Sequence, residues 1–455
     1  MEIGETSFLT AEIAILNKSA VALAADSAVT ISVGSDQQKI FDSADKLFEL
    51  TRGNAIGIMI NSDMNFMEAP LPVLIKRYRE QAPKFARVDE AAKHFFDYLD
   101  QFGKTSPARI KIDAIHRSVV PIFTAIAERA RERFLELLFD SERSGVREEY
   151  DAQPEKVSAL AHEMITEEID RLSRIADSLD EASFVGGNDF ALTDAERGAI
   201  EAASNEHLSM ANLEQRERAV ELASRALRKF GTTPNATGVV VAGFGTDELF
   251  PTLVSFQIFG MVGDRLKFVQ TNTVDVDREG VGAAVLPFAQ REMVERFLYG
   301  LDGELTRKIT GFCEQSVPLI SEELIGSLDL SEEEAATLRA KATEAEQAFF
   351  TGLNNDAFDA IQEQSRSEIE EMVEFMPKPE LARMAEALVN LTSIKRRVSR
   401  GFETVGGPID VAIISKAEGF VWVKRKHYFP EALNARYFGR IRVSEQAGRA
   451  DDAEG

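Results

Sequence analysis

Residues 9–30 read "LTAEIAILNKSAVALAADSAVT". Two short apolar runs, "AEIAIL" and "AVALAAD", flank the turn signal Asn17-Lys18, a pattern that predicts a β-hairpin. The second arm, Ala20 to Ala25, is small and apolar and ends on a carboxylate, Asp26. A hydroxyl residue, Thr10, stands at the matching end of the first arm. An aspartate after an apolar strand is commonly a turn residue, so the meaning of the pair rests on what the rest of the chain supplies.

Outward from the hairpin, "KLFEL" and "AIGIMI" read as two further strands, set off by Gly34-Ser35 and Arg52-Gly53-Asn54. A long Ala-, Glu-, Arg- and Leu-rich stretch over about 63–230 follows. Its "AERARERFLELLFDSERSGVREEY" carries apolar residues at helical spacing, and "TSPAR" and "VGGND" break it into several helices. "TGVVVAGFG", "FPTLVSFQIFG" and "DRLKFVQTNTV" then form a strand meander over 237–275. "LPFAQREMVERFLYGL" reads as an amphipathic helix, and a second acidic helical region over 303–375 holds a capping box at Ser331 and Glu334. A helix over about 379–400 leads into the closing strands "GGPIDVAIIS" and "GFVWVKRK", and the tail after 440 is expected to be disordered. At 455 residues the chain exceeds an ordinary single domain. Strands interrupted by helical blocks point to one β-rich core with two helical insertions. The division is 10–84, 237–302 and 379–440 for the core, 85–236 and 303–378 for the insertions, 1–9 for a removable leader and 441–455 for the tail.

A formal charge of −24 argues against nucleic acid or an anionic membrane surface as partner, since both select clustered Lys and Arg. The single cysteine, Cys313, excludes an intramolecular disulfide and fits a reducing, cytoplasmic setting. No stretch has the uninterrupted apolar length of a membrane span, and no basic-then-apolar secretory signal opens the chain. "GVGAAV" lacks the Lys-Ser/Thr of a phosphate loop and the third glycine of a dinucleotide site. His94, His116, His162, His207 and His427 are scattered without zinc spacing, and "AHEMI" has no second histidine. The expectation is therefore no cofactor and no metal.

The element order, with "AVALAADSAVT" in the first hairpin and "DKLFEL" after it, resembles the proteasome β-subunit family of N-terminal nucleophile (Ntn) hydrolases. The resemblance covers about 10–80, 237–300 and 379–425, and makes the chain a divergent relative with large helical insertions. It implies an α+β fold, a four-layer αββα sandwich. In that family the nucleophile is a threonine sixteen residues before the aspartate that ends the second strand, which here is Thr10 against Asp26. The family's lysine opens the third strand, which gives Lys46 in Asp45-Lys46; Lys39 is the alternative if the longer loop falls elsewhere. The resemblance also implies a peptide or protein substrate, assembly into a homo-oligomer and an ATP-dependent unfoldase partner. Surplus apolar residues in "NFMEAPLPVLIKRYREQ" (Phe66, Leu71, Val73, Leu74 and Tyr78) suit a helix packed on a neighbouring subunit.

The chemistry gives each residue a reason. A threonine hydroxyl is a weak nucleophile near neutral pH and requires a base. An N-terminal threonine supplies its own, because a free α-amine titrates near about 7.7–8.0. A nearby lysine ammonium lowers both that amine and the hydroxyl, and an aspartate fixes the lysine in place. Removal of such a polar site lysine is expected to cost only about 1–2 kcal/mol of stability. Backbone N–H groups at the end of "IMINSD" would hold the oxyanion, near Asn61 and Ser62. The family's glycine at that position is missing between Ile58 and Asp63, and its amine-supporting Asp and Ser give way to "GFETVGG", with Glu403 as a near neighbour. Those departures leave a catalytically inactive, proteasome-like scaffold as the second reading. For the enzyme, Leu9-Thr10 must be cleaved to free the amine.

Overall fold

The computed structural model describes residues 11–33, 37–143, 154–231, 236–277, 280–398, 407–427, 429–430, 433–436 and 439. The opening hairpin forms β1 (Ala11–Asn17) and β2 (Ala20–Ala25), and every residue of both is buried. Asn17 holds the turn: its Oδ1 accepts the N–H groups of Ser19 and Ala20 at 2.9 and 3.2 Å. Its Nδ2 donates to the Val373 and Met376 carbonyls, both at 2.9 Å. A hairpin apolar on both faces must be covered on both sides, and the other elements do this.

β3 (Val29–Val33) and β4 (Gln37–Phe41) form a small separate hairpin in the extra length between Asp26 and Lys46. β5 (Leu47–Glu49) and β6 (Ala55–Ser62) follow, then the two-residue strands β7 (Asn65–Phe66) and β8 (Ala69–Pro70). Helices α1 (Leu71–Arg79) and α2 (Val88–Thr105) come next. A first helical unit contains α3 (Ala108–Arg143), α4 (Pro154–Ser178), the short β9 (Ser183–Phe184), α5 (Asp194–His207) and α6 (Leu213–Ala226). The meander is β10 (Thr237–Phe244), β11 (Thr252–Val262) and β12 (Arg265–Asp275). After β13 (Ala283–Ala289) and α7 (Glu292–Tyr299), a second helical block holds α8 (Gly303–Gly326), α9 (Glu332–Gly352), a π-helical stretch Leu353–Asp359 and α10 (Ala360–Glu374). Ser331 and Glu334 form the expected capping box at α9. The long α11 (Lys378–Val398) leads to β14 (Asp410–Ser415) and β15 (Gly419–Lys424).

The fold is mixed α+β with two main antiparallel sheets, ordered β13-β1-β2-β14-β15 and β5-β6-β10-β11-β12-β9. One apolar cluster joins the sheets, with Ala14, Leu16, Val21 and Leu23 against Met59, Val240, Ala242 and Leu253. A second joins the six-stranded sheet to α1 and α2, through Ile58, Val239 and Phe256 with Leu74, Phe95 and Phe96. A third joins the five-stranded sheet to α7 and α11, through Ile13, Ala22 and Val285 with Val294, Leu298 and Leu388. Each fully buried side chain of this kind contributes roughly 1.5–3 kcal/mol. The first helical unit has its own cluster, including Ile115, Val119, Phe123, Ile169, Ile200 and Leu222. α2 shares its core with the sheet, whereas helices α3 to α6 share a cluster that reaches the sheet through Val262 of β11 and Phe184 of β9.

Two local expectations are corrected. "LPFA" at the start of the expected helix belongs to β13, which pairs with β1; Pro287 is tolerated there because β13 is an edge strand. The first helix spans only Leu71–Arg79, and Phe66, Leu71, Leu74 and Tyr78 are buried within the chain, leaving only Val73 of that set exposed. The expected leader and tail lie outside the described residues. Among the described residues no helix is long and apolar enough to cross a membrane.

Candidate active site

Asp26 follows β2 directly, and it is tied to the start of β1 twice. Its N–H donates to the Ala11 carbonyl at 3.1 Å, and its Oδ1 accepts the Ala11 N–H at 3.3 Å. Ala11 is the residue after Thr10 in the chain. Lys46 immediately precedes β5, and its Nζ donates to the same Asp26 Oδ1 at 2.5 Å. The Lys46 ammonium also lies 3.3 Å from Glu12 Oε1. These three side chains are at most 1% exposed. Two carboxylates and one ammonium are thus withdrawn from water together, an arrangement in which removal of one member is strongly destabilising.

The loop that delivers Lys46 is fixed along its length. The Ala44 N–H donates to the Ser27 carbonyl, and the Ile60 N–H to the Lys46 carbonyl, both at 3.0 Å. The Asp45 carboxylate meets Lys76 Nζ at 3.3 Å and Lys426 Nζ at 3.7 Å, and Lys426 also pairs with Asp410 at the start of β14. Gly407 presses on this loop with φ +78°, and a Cβ there would sit 2.9 Å from the Asp42 carbonyl oxygen. A side chain at 407 would be strained and would displace the loop.

Asn61 and Ser62 end β6, one and two residues past the Ile60 that bonds Lys46. Ser62 holds φ +70°, a left-handed backbone that ordinarily favours glycine, at the place where the family resemblance leads one to expect that residue. Its Oγ donates to Asn61 Oδ1 at 3.1 Å. Across the ladder Gly238 gives Asn61 its room, since a Cβ there would meet Asn61 Oδ1 at 2.1 Å. Met67 and Glu68 share the left-handed backbone, so three of the four non-glycine residues of this kind among the described residues fall between 62 and 68. Such backbone outliers concentrate at functional sites. The same segment, from Asp63 to Glu68, lines an open cavity of about 410 Å³ together with Arg117 of α3, Thr237 and Phe259.

Thr10, Leu9 and Glu403 lie outside the described residues. Lys39 is on β4, in the separate small hairpin, while Lys46 makes the contacts with Asp26. Glu12 is the residue missed from the sequence. Its signal was present: it shares the strand face of Ala14 and Leu16, which is turned toward the other sheet, and a carboxylate on such a face demands a partner. A second buried lysine, Lys267 on β12, stands apart from this group; burial pushes it down to about 7, against the opposing charge of Glu181. Among the described residues, metal-type ligands converge on the first helical unit, at His116, Glu206 and His207. No protein-family model matches the chain, and no curated protein matches it.

Proposed function

We propose that the protein is a threonine-type amide-bond hydrolase of the proteasome-like Ntn kind, acting on peptides or proteins in the cytoplasm. The observation that carries this reading is one carboxylate oxygen, Asp26 Oδ1, which receives both the Lys46 ammonium and the N–H of the residue following Thr10. The three apolar clusters that cover both faces of both sheets support the four-layer αββα sandwich that belongs to this reading.

The chemistry proceeds in two stages. The Thr10 hydroxyl attacks the Leu9 carbonyl carbon, the Leu9–Thr10 C–N bond breaks, and water hydrolyses the resulting ester. Residues 1–9 depart with a new carboxylate, and the Thr10 amine is free. In turnover that amine takes the hydroxyl proton, Oγ attacks the scissile carbonyl, and the proton passes to the leaving amine. Water then releases the acyl group. Lys46 supplies positive charge to the developing alkoxide, Asp26 and Glu12 orient Lys46, and backbone N–H groups near Ser62 receive the oxyanion. The cavity beginning at Asp63 offers room for substrate side chains.

Intact-mass measurement of the purified chain tests this. Loss of residues 1–9, with retention in Thr10→Ala, is the expected result; an active preparation that still carries them overturns it. The depth of Lys46, at most 1% exposed between two carboxylates, favours the second reading, an inactive scaffold held by an internal ion network. An unprocessed chain without peptide hydrolysis would establish that reading instead.

Self-association belongs to the same proposal, but its support moves from α1 to α8. There Leu305, Phe312 and Leu319 recur every seven residues and are 37, 71 and 69% exposed, a spacing suited to a second copy of the helix. Light scattering is expected to give a multiple of the single-chain mass found by intact-mass measurement, reduced to one chain by Phe312→Glu with Leu319→Glu; a single-chain mass for the unaltered protein overturns this part.

A further inference from the structure

His116 and His207 are ninety-one residues apart in sequence, on different helices. Packing of α3 against α5 brings them together, because Ile115 and Val119 of the one share a core with Ile200 and Ala203 of the other. His116 therefore projects beside the last turn of α5, which carries Glu206 and His207. One ligand atom from each of the three residues lies within 4.8 Å of the other two. His116 Nε2 is 3.9 Å from Glu206 Oε2, and the two imidazole centroids are 6.5 Å apart.

Two features separate this group from a chance surface pair. The first is what the rings leave undone. His94 Nδ1 faces the Tyr78 hydroxyl and His162 Nδ1 faces Gln215 Oε1, each at 3.0 Å. Among the described residues, neither His116 nor His207 makes a ring hydrogen bond; their contacts are with Glu206 and with each other. The second is the donor set. Two imidazoles and a carboxylate suit zinc or a neighbouring transition ion, and do not suit calcium or magnesium, which take oxygen ligands. Zinc bonds of about 2.0–2.2 Å place tetrahedral ligand atoms about 3.4 Å apart. The observed separations, 3.9 Å between His116 and Glu206 and up to 4.8 Å within the group, exceed that, so the three side chains must draw together when the ion binds.

We propose that His116, Glu206 and His207 form a zinc-type transition-metal site that clamps the end of α5 to α3, with water in the fourth position. The ion would tie two helices of the first helical unit at its surface, where His116 and His207 are half-buried and Glu206 is exposed. The site is independent of the hydrolase reading, since it shares no residue with Asp26, Lys46 or Glu12.

The test uses the untagged full-length chain, stripped of metal and titrated with zinc chloride in a calorimeter at neutral pH. One zinc per chain is expected, with a higher thermal midpoint in its presence. His116→Ala and His207→Ala should each weaken binding by more than the roughly 10–100-fold that loss of an outer hydrogen-bond partner of a ligand costs. His94→Ala is the control that keeps full binding. Should either alanine variant fail to fold, Glu206→Gln, on an exposed side chain, takes its place with the same expectation. Absence of zinc binding, or one zinc per chain bound equally well by the folded variants, overturns the proposal.

Discussion

Lys46, at the entrance to β5, and Lys267, within β12, are buried to the same depth, at 1% and 0% exposure. Their surroundings differ. Lys46 sits where the two sheets meet and has carboxylates at 2.5 and 3.3 Å. Lys267 lies under the Phe259 ring, with Nζ 5.0 Å from its centroid, on a strand that runs between β11 and β9. Desolvation prevails over the charge of Glu181 there and pulls the group down to about 7. Burial alone therefore does not decide whether a lysine acts as a fixed charge. A carboxylate in direct contact holds the Lys46 ammonium in place, whereas at Lys267 desolvation outweighs the favourable charge of Glu181.

The contrast can be broken most forcefully at Lys46. Lys46→Met leaves two carboxylates buried without their cation and is expected to cost about 3–5 kcal/mol, read as a lowered denaturant midpoint. That exceeds the 1–2 kcal/mol expected of a merely polar site residue, because the sequence alone gave no measure of how deeply Glu12 and Asp26 are enclosed. A loss below about 1 kcal/mol would place the lysine in water and erase the comparison.

At Lys267 the signature is a pH dependence. The unfolded chain keeps this proton up to the ordinary lysine value near 10.4, while the folded chain releases it near 7. Stability should therefore rise with pH between those limits, by at most about 1.4 kcal/mol per unit. Denaturant midpoints at pH 7.5 and 9.5 check the sign. The rise should be smaller in Lys267→Met, and equal slopes in the two proteins would show that Lys267 keeps its charge.

Glu12→Gln sharpens the same comparison at smaller scale. The amide oxygen can still lie against the Lys46 ammonium and Asp26 remains, so the expected cost is about 1–2 kcal/mol, well below that of Lys46→Met; equal costs would make Glu12 the principal partner. The smallest effect is expected at Lys39. Lys39→Ala should leave removal of residues 1–9 at its unaltered extent by intact mass, and loss of processing there, with none in Lys46→Ala, would move the site to the other lysine.

Much of the frame was legible because it is written in local pattern. The hairpin 11–25, the meander and the closing strands all carry short apolar runs between turn residues; Asp26 and Lys46 were singled out by the family resemblance, and the structure brings their side chains together. What failed depends on pairing at a distance. Leu286 to Ala289 run straight into the helical pattern of 292–299, so the boundary has no local signal; β1 on one side makes them a strand. Glu12 was hidden inside an apolar run, and its importance appears only when β5 brings Lys46 across. His116 and His207 carry no metal spacing along the chain, and only the packing of α3 on α5 brings them near one another. The surplus apolar character of 65–81 was real, but α2 and the sheet absorb it.

The hairpin's place in its sheet bears on how the chain is made. β1 and β2 lie in the interior of the five-stranded sheet, flanked by β13 and β14. Ala25 pairs with Asp410, which leaves the ribosome 385 residues later. At roughly 5–20 residues per second that interval is on the order of 20–80 s. Through it β1 and β2 wait, apolar on both faces, for β14. Ala25 gains its neighbour on β14 only when that later segment emerges, so the hydrogen-bonding edge of β2 stays open for the whole interval, and the sheet can close only after the segments between have been made.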